Sequence, residues 1–231
     1  MRTDITIVIP TYNYAKYLKE SIQSCLDQTI QTQIIIVDDG STDDTFQVVQ
    51  AFTLAIGMER VHYLHKENTK TAAAARNFGI KYAIDNLGCN LIATLDADDL
   101  LYPNFIEKGL AELDRTGAAI FFCDAKCFEE STDTIFSSPF NMSVLSGNYE
   151  LYCSLFYAKV WQNVKGYDED IPFSGLEDWT FWIKAYRKHF EGVYLNEELF
   201  KYRVHKDSMK FISLIPHTGE LRKWMQDKGY I

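Results

Sequence analysis

Three acidic clusters in this 231-residue chain could do chemistry: Asp38-Asp39, Asp96-Ala97-Asp98-Asp99 and Glu177-Asp178. Three aspartates within four residues repel one another unless a cation or hydrogen bonds compensate them. Mg2+ or Mn2+ prefers oxygen ligands and often takes one or two carboxylates, with phosphate and water completing its shell. The Asp96 cluster is therefore a candidate for holding a divalent ion against an anionic ligand. Glu177 and Asp178 are candidates for a general base, because a hydroxyl that attacks an electrophilic carbon must lose its proton. His205 is a further candidate ligand or proton acceptor. Each group also has a plainer reading. Asp98 or Asp99 could cap a helix beginning near Pro103, Asp39-Gly40-Ser41 is common turn chemistry, and two acids at a helix start suit its dipole. Tyr12 could be packing, Arg76 a solvated helix charge and His205 structural.

What separates these readings is where the chain places the residues. Ile5–Ile9 is a β-branched run ending at Pro10, and Gln33–Val37 is a second, stopped by Asp38-Asp39-Gly40-Ser41. Such runs suit strands buried on both faces. Val61–Leu64 and Asn90–Leu95 make a third and fourth strand, the last running into Asp96. Between them lie helical patterns: Leu18, Ile22, Cys25 and Leu26 on one face, a helix opened by Ser41 or Thr42 with acids in its first turn, and Ala72–Leu87. Four β/α units in a row predict an α/β fold with a mostly parallel central sheet and helices on both faces. Ligands of such sheets bind beyond the carboxyl ends of the strands. Those ends carry Pro10-Thr11-Tyr12-Asn13, Asp38-Asp39 and Asp96-Ala97-Asp98-Asp99, so one crevice should gather an aromatic ring, hydrogen-bonding side chains and carboxylates.

The second half is less regular. Pro103–Arg115 reads as a helix with proline in its first turn, Ala118–Cys123 as a strand, and Asp124–Tyr149 as short, polar and turn-rich. Helical stretches are expected at Tyr149–Trp161 and Glu177–His189, with strands near Val193 and Phe200. No linker or repeat interrupts the chain, so residues 1–231 are read as one domain, with 1–100 the nucleotide-binding half and 101–231 the acceptor-binding half.

Composition narrows the function classes. At 47% hydrophobic and 14% aromatic, the chain can bury a core. A net charge of −9 argues against a nucleic-acid partner, whose phosphates are held mainly by Lys and Arg. A divalent cation would reconcile an acidic protein with an anionic nucleotide. No apolar run is long enough to span a bilayer and no signal peptide is read. Five scattered cysteines do not form a disulfide framework and read as free thiols in a reducing cytoplasm. A dinucleotide oxidoreductase would need Gly-x-Gly-x-x-Gly where Pro10-Thr11-Tyr12-Asn13 stands. A sugar-nucleotide nucleotidyltransferase would want a Gly-rich basic loop there, and a binding protein that has lost catalysis would not need the acidic elements intact.

Taken in order, Val8-Ile9-Pro10-Thr11-Tyr12-Asn13, Val37-Asp38-Asp39-Gly40-Ser41-Thr42-Asp43, Ala75-Arg76-Asn77 before Gly79, Leu95-Asp96-Ala97-Asp98-Asp99, Gly166-Tyr167-Asp168-Glu169, Glu177-Asp178-Trp179 and Tyr202-Arg203-Val204-His205 before Ser208-Met209 resemble the family 2 glycosyltransferases, which have the GT-A fold. The resemblance covers Ile5 to about His205. It implies an inverting transferase that moves a single sugar from a nucleoside-diphosphate sugar, UDP-sugar favoured, to a hydroxyl of a glycan or lipid-linked glycan acceptor, with Mn2+ or Mg2+ as cofactor. It implies nucleotide binding by Pro10, Thr11, Tyr12, Asn13, Asp39, Arg76, Asp96 and Ala97, with Tyr12 against the base and Asp96 near the ribose. Asp98 and His205 would hold the metal, and Asp178 would be the catalytic base with Glu177 as its understudy. The Gln-x-x-Arg-Trp element and membrane spans of processive synthases are absent, so peripheral membrane association is the form of membrane contact left open.

Overall fold

The computed structural model describes residues 4–145, 151–172, 175–206 and 218–230. Ser208 and Met209, Tyr149, and Phe173-Ser174 before α6 lie outside them. The first four strands form where expected: β1 (Ile5–Thr11), β2 (Gln33–Asp38), β3 (Val61–His65) and β4 (Leu91–Thr94). Alternation along them sends Ile5, Ile7, Ile9, Ile34 and Ile36 into one apolar layer and Val8, Ile35 and Val37 into the other. Both faces must then be covered. Helices α1 (Ala15–Leu26), α2 (Thr45–Ile56) and α4 (Phe105–Thr116) cover the first. Helices α3 (Ala72–Leu87), α5 (Ala158–Val164), α6 (Glu177–Arg187) and α7 (Thr218–Asp227) cover the second.

The described strands make a nine-stranded sheet in the order β3-β2-β1-β4-β8-β6-β9-β5, with β7 (Thr134–Ile135) paired to β6. Six of them, β1, β2, β3, β4, β6 (Ile120–Glu129) and β9 (Gly192–Val204), point the same way, so their carboxyl ends share one edge. The short β5 (Leu100–Leu101) and β8 (Leu155–Tyr157) run against them. Helix α3 lies unusually close to β1 and β2. A Cβ on Gly79 would sit 2.6 Å from Val8 Cγ1 and 2.7 Å from Val37 Cγ2. That approach, with the alanines at Ala73, Ala74 and Ala75 buried beside it, draws Arg76 into the protein instead of leaving it solvated.

Several expectations for local structure need correction. Neither Ser41 nor Thr42 opens α2. Asp44 precedes its first residue, Asp43 Oδ1 accepts from Thr45 N and Oγ1, and no acid lies in its first turn. Pro103 lies before α4, whose N-cap is Asn104, and neither Asp98 nor Asp99 caps it. Strand β6 runs on to Glu129 through residues expected to be turn-rich, because β9 pairs with its whole length. The expected strands near Val193 and Phe200 are this one 13-residue strand, with register shifts opposite Asp124. Leu155–Tyr157 is strand, not helix, since it fills the gap between β4 and β6, and the helix begins only at Ala158. All five cysteines are free and buried. Among the described residues, no helix is long and apolar enough to cross a membrane.

Candidate active site

A cavity of about 580 Å³ opens at the shared carboxyl edge. Pro10, Thr11, Tyr12, Asp39, Arg76, Asp96, Ala97, Asp98 and Glu177 all line it, so the strand ends meet as the α/β architecture requires. A larger groove of about 780 Å³ lies at the amino ends of β6 and β9, among Phe140, Tyr186, Phe190 and Tyr194. It holds none of the clustered acids, and chemistry rather than size identifies the site.

One end of the cavity is built on the turn after β2. Gly40 has φ +82°, and a Cβ there would meet Asn68 N at 2.9 Å, so glycine lets the turn and the 66–71 loop close together. Asp38 fixes the turn from below. It accepts from Ser41 N (2.7 Å) and the Tyr63 hydroxyl (2.5 Å). Burial pushes its pKa up, but these bonds and that from His65 outweigh it and hold the group below its ordinary value. Asp39 faces the cavity and accepts from Thr69 N, Thr69 Oγ1 (2.8 Å) and Lys66 Nζ (3.1 Å). Tyr12 projects beside it, 48% exposed, which is more than a packed core ring would show. Asn13 does not line the cavity. Its Oδ1 accepts from Thr42 N (2.7 Å) and its N–H donates to Ser41 Oγ (2.9 Å), tying the turns after β1 and β2 together.

Arg76 crosses the middle. Its guanidinium donates to Asp96 Oδ1 (2.6 Å) and Glu177 Oε1 (2.9 Å), with the Tyr152 and Tyr167 rings 5.5 and 5.8 Å away. The plainer reading of Arg76 as a solvated helix charge therefore fails, for the side chain is buried and joins α3, the β4 end and α6. Glu177 is engaged at both oxygens, since Oε2 accepts from Gly175 N at 2.7 Å. Asp96 is enclosed by protein yet keeps a third of its side chain open to the cavity. Burial raises its pKa, with Arg76 opposing and Asp98 adding to the rise. Asp99 is pushed well above the carboxylate range by burial and then by Asp98 and Asp96. It accepts from the Tyr152 hydroxyl and from Arg203 N (2.7 Å), so its role is to anchor the loop.

Asp98 is the member of the cluster that meets His205, with Oδ2 and Nε2 3.1 Å apart. That is about the spacing of neighbouring ligands on an octahedral ion with bonds of ~2.1 Å, and one carboxylate with one imidazole leaves room for phosphate and water. This donor pair fits Mn2+ or Mg2+. Among the described residues no group of three metal-ligating side chains converges, so the remaining ligands would come from the bound nucleotide and solvent. Asp178, one residue past the cavity wall on α6, accepts Trp179 N through Oδ1 (2.8 Å) and is not itself part of the wall.

Tyr14, Asn68, Lys70, Thr71 and Tyr202 also line the cavity and had not been singled out as site residues. The third strand end gave the missing signal: the segment after β3 carries Asn68, Lys70 and Thr71, the last capping α3 by accepting Ala74 N.

The sequence profile of glycosyl transferase family 2 matches residues 6–172. The chain is 34% identical to the glycosyltransferase GlyG of Streptococcus pneumoniae over 149 residues, 64% of this chain and 43% of GlyG. It is 29% identical to a glycosyltransferase of Rickettsia prowazekii over 217 residues, 87% of this chain and 64% of that one. It therefore spans between 43% and 64% of the length of these relatives. Among solved structures, S. aureus TarS in complex with UDP-GlcNAc superposes with a TM-score of 0.73 at 17% identity, covering 89% of this chain and 60% of TarS. The mannosyltransferase PcManGT of Pyrobaculum calidifontis, in complex with GDP-Man and Mn2+, gives 0.69 at 16% identity over 90% and 59%. These structures share the GT-A type of fold.

Proposed function

Because the chain belongs to glycosyl transferase family 2, we propose that it transfers one sugar, with inversion at the anomeric carbon, from a nucleoside-diphosphate sugar to a hydroxyl of a glycan or lipid-linked glycan. UDP-sugars are the favoured donors, in keeping with UDP-GlcNAc in the TarS complex. The observation that carries this reading is that one cavity is lined by Thr11, Tyr12, Asp39 and Asp98, the last of them paired with His205. Tyr12 offers a ring face to the base. Asp39, already held by Thr69 and Lys66, presents a fixed carboxylate beside it, and Asp96 keeps an open oxygen toward the ribose. Residues 1–100 then form the nucleotide half and the later elements the acceptor half.

Asp98 and His205 would hold Mn2+ or Mg2+, which when bound neutralises the diphosphate and the charge that develops as it leaves. Asp178 takes the proton of the acceptor hydroxyl. Glu177 is unsuited to that task, since Arg76 and Gly175 N occupy its oxygens. Arg76 instead fixes Glu177, and with it the start of α6, against Asp96. Five buried thiols suit a reducing compartment, and we place the reaction in the cytoplasm.

The test is a thermal-shift screen of UDP-, GDP-, dTDP- and CDP-sugars with and without Mn2+, followed by NMR of the sugar released on slow donor hydrolysis. A donor at a hundred times its Kd contributes about 2.7 kcal/mol, a rise of roughly 5–11 °C for a chain of this size. UDP-sugars should give that rise in Mn2+, and the sugar first released should have inverted configuration. No shift with any donor, or release with retention, contradicts the reading.

A further inference from the structure

Arg203 bonds to three partners beside the site, and none of the nucleotide, metal or base roles uses it. It lies beyond the span matched by the family profile. Its side chain is 4% exposed. The guanidinium lies 4.6 Å from the Tyr17 ring and 4.4 Å from the Phe128 ring, bridging α1 and β6. Its Nη2 meets Glu20 at 2.6 Å and its Nη1 meets Glu129. Those two carboxylates are 61% and 41% exposed, so the pairs contribute little to stability and do not explain why a cation is buried here. A further bond is distinctive: Nε donates to the Asp98 carbonyl oxygen at 2.6 Å, while Arg203 N donates to Asp99.

The end of β9 and the residue after it thus grip Asp98 twice. Residues two apart on a strand project to the same side. Arg203 takes the Asp98 backbone, and His205, just past the end of β9, meets its carboxylate. One ring serves both, for Tyr17 also stacks on His205 at 4.9 Å with 28° between planes. Glu20 and Glu129 set the rotation of the guanidinium fork, whose planar geometry lysine does not reproduce.

We propose that Arg203 is the positioning residue that holds Asp98 and His205 at ligating distance, and that its partners Tyr17, Glu20 and Glu129 set its orientation. This rests on the reading of Asp98 and His205 as the metal–diphosphate site.

The experiment measures Mn2+ affinity by electron paramagnetic resonance in saturating UDP, and UDP affinity in EDTA, for wild type, Asp98→Ala, Arg203→Met and the double variant Glu20→Gln/Glu129→Gln. Loss of a residue that orients a metal ligand typically weakens binding about 10–100-fold. Arg203→Met should show that loss with UDP affinity in EDTA unchanged, and excess Mn2+ should restore the complex. If Arg203→Met does not fold, the double variant decides, because its substitutions are at partly exposed carboxylates; it should bind Mn2+ several-fold more weakly. Wild-type Mn2+ affinity in Arg203→Met, or in the double variant where that decides, overturns the proposal while a deficit in Asp98→Ala keeps the site reading. Equal Mn2+ affinity in wild type and Asp98→Ala overturns both.

Discussion

Replacing Arg76 with methionine removes the one cation shared by Asp96 and Glu177 while keeping most of the side-chain volume. Glu177 is the costlier orphan, because its side chain is 6% exposed and, among the described residues, only Gly175 N would remain to it. Asp96 is the cheaper one, since a third of its side chain reaches the cavity. Breaking a buried pair by deleting one partner typically costs roughly 3–5 kcal/mol. With one of two carboxylates able to recover solvent, the lower end applies, about 3 kcal/mol, or a fall in melting temperature of roughly 6–12 °C. Differential scanning fluorimetry measures it. Adding Glu177→Gln should recover part of the loss, because a neutral amide is cheaper to leave buried than a carboxylate, and the cycle should show non-additivity of about 0.5–3 kcal/mol. A melting temperature within ~2 °C of wild type for Arg76→Met would mean that neither carboxylate depends on Arg76. Strict additivity would refute the claim that Arg76 and Glu177 act on one another.

Asp178→Asn keeps the size of the side chain, so UDP-sugar affinity by calorimetry should be unchanged while steady-state turnover falls by roughly 10²–10⁴; near-wild-type turnover removes Asp178 as the base. Tyr12→Ala should weaken UDP binding about tenfold or more, from the loss of about 1–3 kcal/mol of base stacking, with no change in melting temperature because the ring is half exposed; an unchanged Kd returns Tyr12 to packing. Gly79→Ala sets two effects against each other. Helix propensity favours alanine by about 1 kcal/mol, but the Cβ meets the stiff core side chains of Val8 and Val37, and overpacking of that kind costs about 1–3 kcal/mol. Chemical denaturation should show net destabilisation, and a gain in stability would mean that α3 can move off the sheet freely.

The first hundred residues were legible because β1, β2 and β4 are short apolar runs buried on both faces and the helices between the strands follow one another in order. The strand-end rule then gathered Thr11, Tyr12, Asp39, Asp96 and Asp98 without any knowledge of their contacts. What stayed hidden depends on pairing between distant segments. Leu155–Tyr157 carries no strand alternation that could be told from a helix turn, and only the gap between β4 and β6 makes it a strand. The polar stretch after Cys123 is strand only because β9 runs alongside it. Arg76 reads as a surface charge on an alanine-rich helix until Gly79 is seen to press that helix onto the sheet. Ser41, Thr42 and Asn13 each have the side chain of a helix cap, and nothing local reveals that they bond to one another across two turns.

The most direct measurement is calorimetric titration of UDP into wild type and Asp98→Ala, first with Mn2+ and then with EDTA. If Asp98 and His205 present a divalent ion to the diphosphate, wild type binds UDP more tightly in Mn2+ than in EDTA, and Asp98→Ala binds it as weakly in Mn2+ as in EDTA. Equal wild-type affinity in the two conditions, with no loss in Asp98→Ala, would contradict a metal-dependent donor site at this edge of the sheet.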